Sequence, residues 1–249
     1  MLPHLSRRLL CCALLGSAAV RAQTSHLPEI QVAGPRDASI GTADSASEGA
    51  VERGSYQSRP KLRPGDIVEA VPGVVATQHS GDGKANQYFL RGFNLDHGTD
   101  FAVTVDGMPV NMPTHGHGQG YADLNFLIPE LVSGVRYRKG PYFAQSGDFS
   151  LAGSAALDYF GALEAPFVEA SAGSHGFRRL LAAGSRTVAD QTWLGAIEVE
   201  GNDGPWDVPE HLGKVNAVLR YSQGSPAHGF GITAMAYKSQ WTSTDQVPE

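Results

Sequence analysis

Seven side chains between positions 79 and 121 are of the types that hold ions and polar ligands: His79, Asp96, His97, His115, His117, Gln119 and Tyr121. Imidazole is a common ligand of transition metals, and carboxylate, amide and phenol groups extend the set toward oxygen-rich cargo. His115 and His117 stand one residue apart in Met112-Pro113-Thr114-His115-Gly116-His117-Gly118-Gln119-Gly120, which suits a metal ion. A flexible polar loop is the simpler reading of the same residues, because glycine and polar side chains dominate them. Other chemistry is excluded more firmly. The two cysteines, Cys11 and Cys12, both lie in the first dozen residues, so a disulfide framework, a Cys₄ zinc site and a later cysteine nucleophile are ruled out. Gly81-Asp82-Gly83-Lys84-Ala85 imitates a phosphate loop, but Gln78 stands where its first glycine belongs and no Ser or Thr follows Lys84. Neither H-E-x-x-H nor G-x-S-x-G occurs, so no enzyme and no cofactor is expected.

The elements that must position those side chains come from a chain of 249 residues, long enough for one large domain or two small ones. Its 30 glycines and 15 prolines argue against a helical bundle, and 41% hydrophobic with 18% charged residues argues against wholesale disorder. A net charge of −6 is the wrong sign for holding nucleic acid.

Arg7 and Arg8 precede an apolar run from Leu9 to Val20, and Val20-Arg21-Ala22 offers small residues for cleavage before Gln23. Residues 1–22 read as a secretory signal, by the general or the twin-arginine route. Its removal takes away three arginines and no acid, so the charge of −6 becomes −9 and no cysteine remains. No later run has the 18 apolar residues of a helical span, so any membrane crossing must use strands.

Residues 23–60 read as an exported linker, interrupted by Leu27-Pro28-Glu29-Ile30-Gln31-Val32-Ala33, a short extended segment suited to adding onto another protein's sheet. From 61 to 160 a mixed-sheet α/β pattern is expected. Asp66 caps a short helix carrying Ile67, Val68 and Val71, which Pro72-Gly73 ends. Val74–Thr77, Tyr88–Arg91, Phe101–Val105, Val135–Arg138 and Ala155–Tyr159 have strand composition, Asp106-Gly107 is a tight-turn signal, and Asp123–Val132 has short helical character. From 161 to 249 alternation takes over. Trp193, Gly195, Ile197 and Val199 oppose Ala196, Glu198 and Glu200, while Val215, Ala217, Leu219 and Tyr221 oppose Asn216, Arg220 and Ser222, and Phe230–Trp241 makes a further strand. A membrane barrel wall and a soluble antiparallel sandwich share this pattern.

Ile67-Val68-Glu69-Ala70-Val71-Pro72-Gly73-Val74, then Leu90-Arg91-Gly92-Phe93, then Val105-Asp106-Gly107-Met108-Pro109-Val110, then Arg138-Lys139-Gly140-Pro141-Tyr142 closely resemble, in order and spacing, the plug domain of TonB-dependent outer-membrane receptors. The resemblance implies an α/β plug inside a 22-stranded barrel, here continued by the first antiparallel strands of a transmembrane β-barrel that stays incomplete. It implies import of a ferric chelate, metal or other small nutrient, powered through TonB, with outer-membrane lipid around the wall. Leu27, Pro28, Glu29, Ile30, Gln31 and Val32 would form the TonB box. Loops 78–84, 94–99 and 111–121 match the family's outward ligand loops, which would gather His79, Asp96, His97, His115, His117, Gln119 and Tyr121 at one end. Arg91 is expected in an ion-pair cluster facing Glu198 and Glu200 across the lumen, and Arg138 where plug meets wall. About 89 residues follow Phe160, room for roughly five strands of about ten residues, so a truncated receptor is expected. A secreted soluble ligand-binding β-protein and a truncated product without function are the alternatives.

Overall fold

The computed structural model describes residues 47–59, 63–78, 80–225 and 228–244. The signal segment, the 27–33 segment and His79 lie outside them. Chain order begins with β1 (Glu48–Glu52), followed by β2 (Val74–Thr77), β3 (Gln87–Leu90) and β4 (Phe93–Asn94), the last three making a small antiparallel sheet. Next come β5 (Phe101–Val105), β6 (Met108–Pro109), β7 (Val132–Lys139) and β8 (Gly153–Tyr159). They join β1 in a sheet of order β1-β7-β8-β5-β6. Only β5 and β8 run parallel, so the sheet is mixed as expected.

Alternation places Phe101, Val103 and Val105 on the buried face of β5, against Ala155 and Leu157 of β8 and Val132 and Val135 of β7. Tyr88, Leu124, Leu127, Ile128 and Leu131 close this core, each side chain stabilising it by about 1.5–3 kcal/mol through removal from water. Two-residue turns join β3 to β4 and β5 to β6. Arg91-Gly92 has φ of 53° and 83°, and Asp106-Gly107 has 48° and 79°. These are the paired left-handed positions of a type I′ hairpin, which match the right-handed strand twist.

Two expectations are corrected. The segment after Arg63 is a 3₁₀ helix, Pro64–Ala70, without a side-chain cap. Asp66 sits inside it, where its carboxylate takes the Arg63 guanidinium and the Asn86 amide instead of a helix-terminal N–H. Pro72 keeps Val71 extended, which stops the turn before it becomes an α-helix. Within the stretch read as linker, Glu48–Glu52 is β1, paired along β7 from Glu48↔Arg138 to Glu52↔Gly134. Glu-Gly-Ala-Val-Glu has little strand propensity, and its partner lies more than eighty residues onward, so tertiary pairing decides it.

The second half is an antiparallel meander of β9 (Phe167–Ala172), β10 (Arg178–Val188), β11 (Gln191–Asn202), β12 (Leu212–Gly224) and β13 (Gly229–Gln240). One face carries Leu180, Trp193, Ile197, Val199, Val215, Leu219 and Ile232, all exposed, while Leu181, Leu194, Glu198, Lys214 and Asn216 turn inward and are buried. Hydrocarbon outside and charge inside is the pattern of a barrel wall. Trp193, Tyr221 and Phe230 gather beside the short turns, with ring centroids 4.6 and 5.8 Å apart, as interfacial aromatics do. Among the described residues the sheet does not close, and β9 and β13 are its edges. No described helix is long and apolar enough to cross a membrane.

Candidate functional site

Asn111 is the organiser of two of the three expected loops. Its side-chain amide donates to the carbonyls of Gly98, Phe101 and Gly120, and its oxygen accepts the Val103 N–H. Met112 and Tyr121 pair across the base of the glycine-rich loop, and Thr99 Oγ1 donates to the Gln119 carbonyl. Loop 94–99 is thereby fastened beside loop 111–121. Asp96 holds φ at +50°, a left-handed position, with its own N–H donated to Asn94 Oδ1. Strain of this kind is maintained by surrounding contacts and gathers at functional positions.

The side chains follow. His97 is only 2% exposed, and its Nδ1 lies 3.0 Å from the carbonyl oxygens of both Ala85 and Asn86. Two acceptors at one nitrogen require that nitrogen to carry the proton, which leaves the lone pair of the neutral ring on Nε2. Asp96 Oδ1 stands 3.7 Å from that Nε2 and 3.8 Å from Nε2 of His117. The His97 and His117 rings meet edge to face at 4.4 Å. His115 instead stacks on Tyr121 at 3.9 Å, and Tyr121 Oη accepts the Ala85 N–H. Burial raises the Tyr121 phenol above its ordinary range, so it stays neutral. Gln119 is exposed and enters through its backbone carbonyl. The structure thus brings Asp96, His97 and His117 together, with His115 and Tyr121 alongside.

Loop 80–86 connects this cluster to the wall. Its Ala85 and Asn86 carbonyls hold His97, while Gly81 N–H donates to Thr244 Oγ1 and Asp82 N–H to the buried Glu210. Asn202 Nδ2 donates to Asp82 Oδ2. A side chain at Gly81 would displace the Glu210 carboxylate from its place against this loop, so glycine suits the close approach.

Plug and wall meet through charge, but not through the arginines expected. Arg91 occupies the exposed corner of its type I′ turn and makes no ion pair among the described residues; a two-residue turn projects its side chain away from the sheet. Arg138 pairs with Glu48 at 3.2 Å across β1 and β7 and stacks over Phe143, both within the plug. The cation of the seam comes from the wall. Arg179 on β10 reaches Glu130 of the plug with two bonds, 2.8 and 3.0 Å, and Glu198 of β11 at 2.5 Å. Lys214 holds Glu200 at 2.7 Å, and Asn216 Nδ2 donates to Glu198 at 2.7 Å and to the Asn125 carbonyl at 3.0 Å. Asp106 pairs with Arg220 and accepts from Thr233 Oγ1 at 3.1 Å, so this turn residue also faces the wall. Glu198 and Glu200 do point inward as expected. Glu130 was missed; a lone carboxylate inside Leu127-Ile128-Pro129-Glu130-Leu131-Val132 was the available signal.

A mixed-sheet domain sealed against the inner face of an amphipathic antiparallel wall defines a plugged-barrel class of protein. Residues 42–154 match the family model for the TonB-dependent receptor plug domain. That match covers the mixed-sheet domain, and the five-stranded antiparallel wall follows it. The chain is similar in fold to the copper transporter OprC, with 17% identity and a TM-score of 0.58 over 80% of this chain and 31% of that one. It is also similar to the siderophore receptor PirA from Acinetobacter baumannii, with 14% identity and a TM-score of 0.58 over 82% of this chain and 33% of that one. The pyoverdine receptor FpvA from Pseudomonas aeruginosa gives 20% identity and a TM-score of 0.54, over 79% of this chain and 28% of that one. The chain therefore spans between 28% and 33% of the length of these solved proteins.

Proposed function

We propose that this chain is the plug and opening wall of an outer-membrane receptor that binds a small extracellular nutrient, a metal or a metal chelate, and passes it to the periplasm with energy from TonB. The convergence of Asp96, His97 and His117 on loops fastened to the wall through Gly81 and Asp82 carries this reading. Solved proteins of the same fold include a copper transporter and siderophore receptors, which supports a metal-linked cargo. Leu27 to Val32 would pair with TonB by strand addition, lipid would cover the Trp193 and Ile197 face, and no catalysis is involved. Binding at the loops would be transmitted through residues 80–86, and a pull on the amino-terminal tail would then part the plug from the wall. Gln31→Pro tests it, since proline removes a ladder donor. Uptake should be abolished with surface binding intact in an outer-membrane fraction. Loss of binding as well, or a soluble periplasmic location as for a secreted ligand-binding protein, contradicts it.

A further inference from the structure

We infer that the plug loops take a bare divalent late first-row transition-metal ion as cargo, held by Asp96 Oδ1, His97 Nε2 and His117 Nε2. This deepens the receptor reading and rests on it for the word cargo, but not for the binding itself.

One ligand atom from each of the three residues lies within 4.8 Å of those of the other two. Bond lengths of about 2.0–2.1 Å to a tetrahedral ion put its ligand atoms roughly 3.3–3.5 Å apart. The Asp96–His97 and Asp96–His117 separations of 3.7 and 3.8 Å need closing by only a few tenths of an ångström. One donor is already aimed. The Ala85 and Asn86 carbonyls fix the His97 ring and hold its proton on Nδ1, as the outer shell of a metal-bound histidine does. The Asp96 backbone is held in its left-handed conformation by Asn94, which directs the carboxylate at both rings.

The other two donors are built to move. Asp96 and His117 side chains are 47% and 48% exposed, and His117 is flanked by Gly116 and Gly118. Gly116 has nothing within 4 Å of a side-chain position, so the loop has room to close on an ion and reopen. Three protein donors leave a fourth position for water or a departing carrier, whereas structural sites enclose their metal with four. Two imidazoles and one carboxylate suit Zn²⁺, Cu²⁺, Ni²⁺ or Co²⁺ better than Mg²⁺ or Ca²⁺, which prefer oxygen throughout. His115 is excluded from the set by its stacking on Tyr121 and by the His117 N–H donated to its Nδ1.

The test is equilibrium dialysis of the full chain in detergent against Co²⁺ and Zn²⁺, with the visible absorption of bound Co²⁺ as a second readout. One ion per chain is expected. His117→Ala and Asp96→Asn should each weaken binding by about tenfold or more and alter the Co²⁺ spectrum, while His115→Ala changes neither. His97→Gln keeps a donor for the two carbonyls but lacks the imidazole lone pair, and should also weaken binding without unfolding the plug. Absence of saturable binding, or binding that survives both His117→Ala and Asp96→Asn, overturns the inference. The measurement needs neither TonB nor transport. Metal binding without uptake would therefore count against the receptor reading alone, and uptake of a chelate without metal binding against the metal site alone.

Discussion

Inside the plug the packing is hydrocarbon, with Val68, Tyr88, Phe101, Leu127 and Leu157 fully buried against one another; at the seam with the wall it is chiefly charge. Leu181, Ala183, Leu194, Ala196 and Val218 give the wall a small apolar share in that core. Around them lie Arg179 with Glu130 and Glu198, Lys214 with Glu200, Arg220 with Asp106, and Glu210 on the Asp82 amide. The two kinds of contact fail differently. Separating hydrocarbon exposes it to water at a cost that grows with area. Parting a set of ion pairs hydrates every charge at once, and hydration offsets much of the lost attraction. Deleting one charge is worse than parting all of them, because its partners stay buried and unpaired. The proposed mechanism, in which the plug leaves its seat with its fold intact, needs this division.

The largest expected effect is at the centre of the seam. Arg179→Ala takes the guanidinium away from two buried carboxylates, Glu130 and Glu198, and should cost about 3–5 kcal/mol in urea unfolding of the chain in detergent. A loss below about 1 kcal/mol would show that the seam is already wet. Leu127→Ala, in the core, should cost about 2–5 kcal/mol by cavity formation, independent of salt.

A smaller effect is read against pH. Burial raises the Asp123 carboxyl above its ordinary range, more than the hydrogen bonds from Asn125 and the nearby His115 and Lys214 lower it. The folded chain therefore keeps a proton that the unfolded chain gives up from about pH 4 upward, and stability from this group is lost as pH rises through the raised value. Asp123→Asn retains an acceptor for the Asn125 N–H and removes the titration. Its thermal midpoint should gain on the native protein as pH goes from about 4 to 7, and a constant difference would refute the assignment. Least of all, Arg136→Ala removes an exposed pair with Asp158 and should cost no more than about 1 kcal/mol, with salt erasing the difference.

Much of the fold was legible because strand alternation is written residue by residue. Phe101, Val103 and Val105 gave β5, and Trp193 to Glu200 gave both faces of β11. One I′ turn was legible through Asp106-Gly107, whereas Arg91, read as the end of a strand, opens the other. What failed depends on partners far along the chain. β1 is set by β7, and β10 is blurred because Leu181 and Ala183 meet the plug, so its inner face is not uniformly polar. In the site, the histidines and Asp96 announced themselves by type, but the separation of His117 from His115 turns on a ring stack that spacing does not encode. Arg91 looked suited to an ion pair by charge, and its hairpin geometry points it elsewhere.

The most direct test of a separable seam is native-state amide hydrogen exchange in rising urea. The Gly81 and Asp82 amides, bonded to Thr244 and Glu210, report the seam, while the amides of β5 and β8 report the plug core. The seam amides should open at a lower free energy than the core strands, and in Arg179→Ala, which lowers both values, the seam should still open below the core. Opening of both sets together, at one free energy that Arg179→Ala shifts equally, would contradict a separable seam.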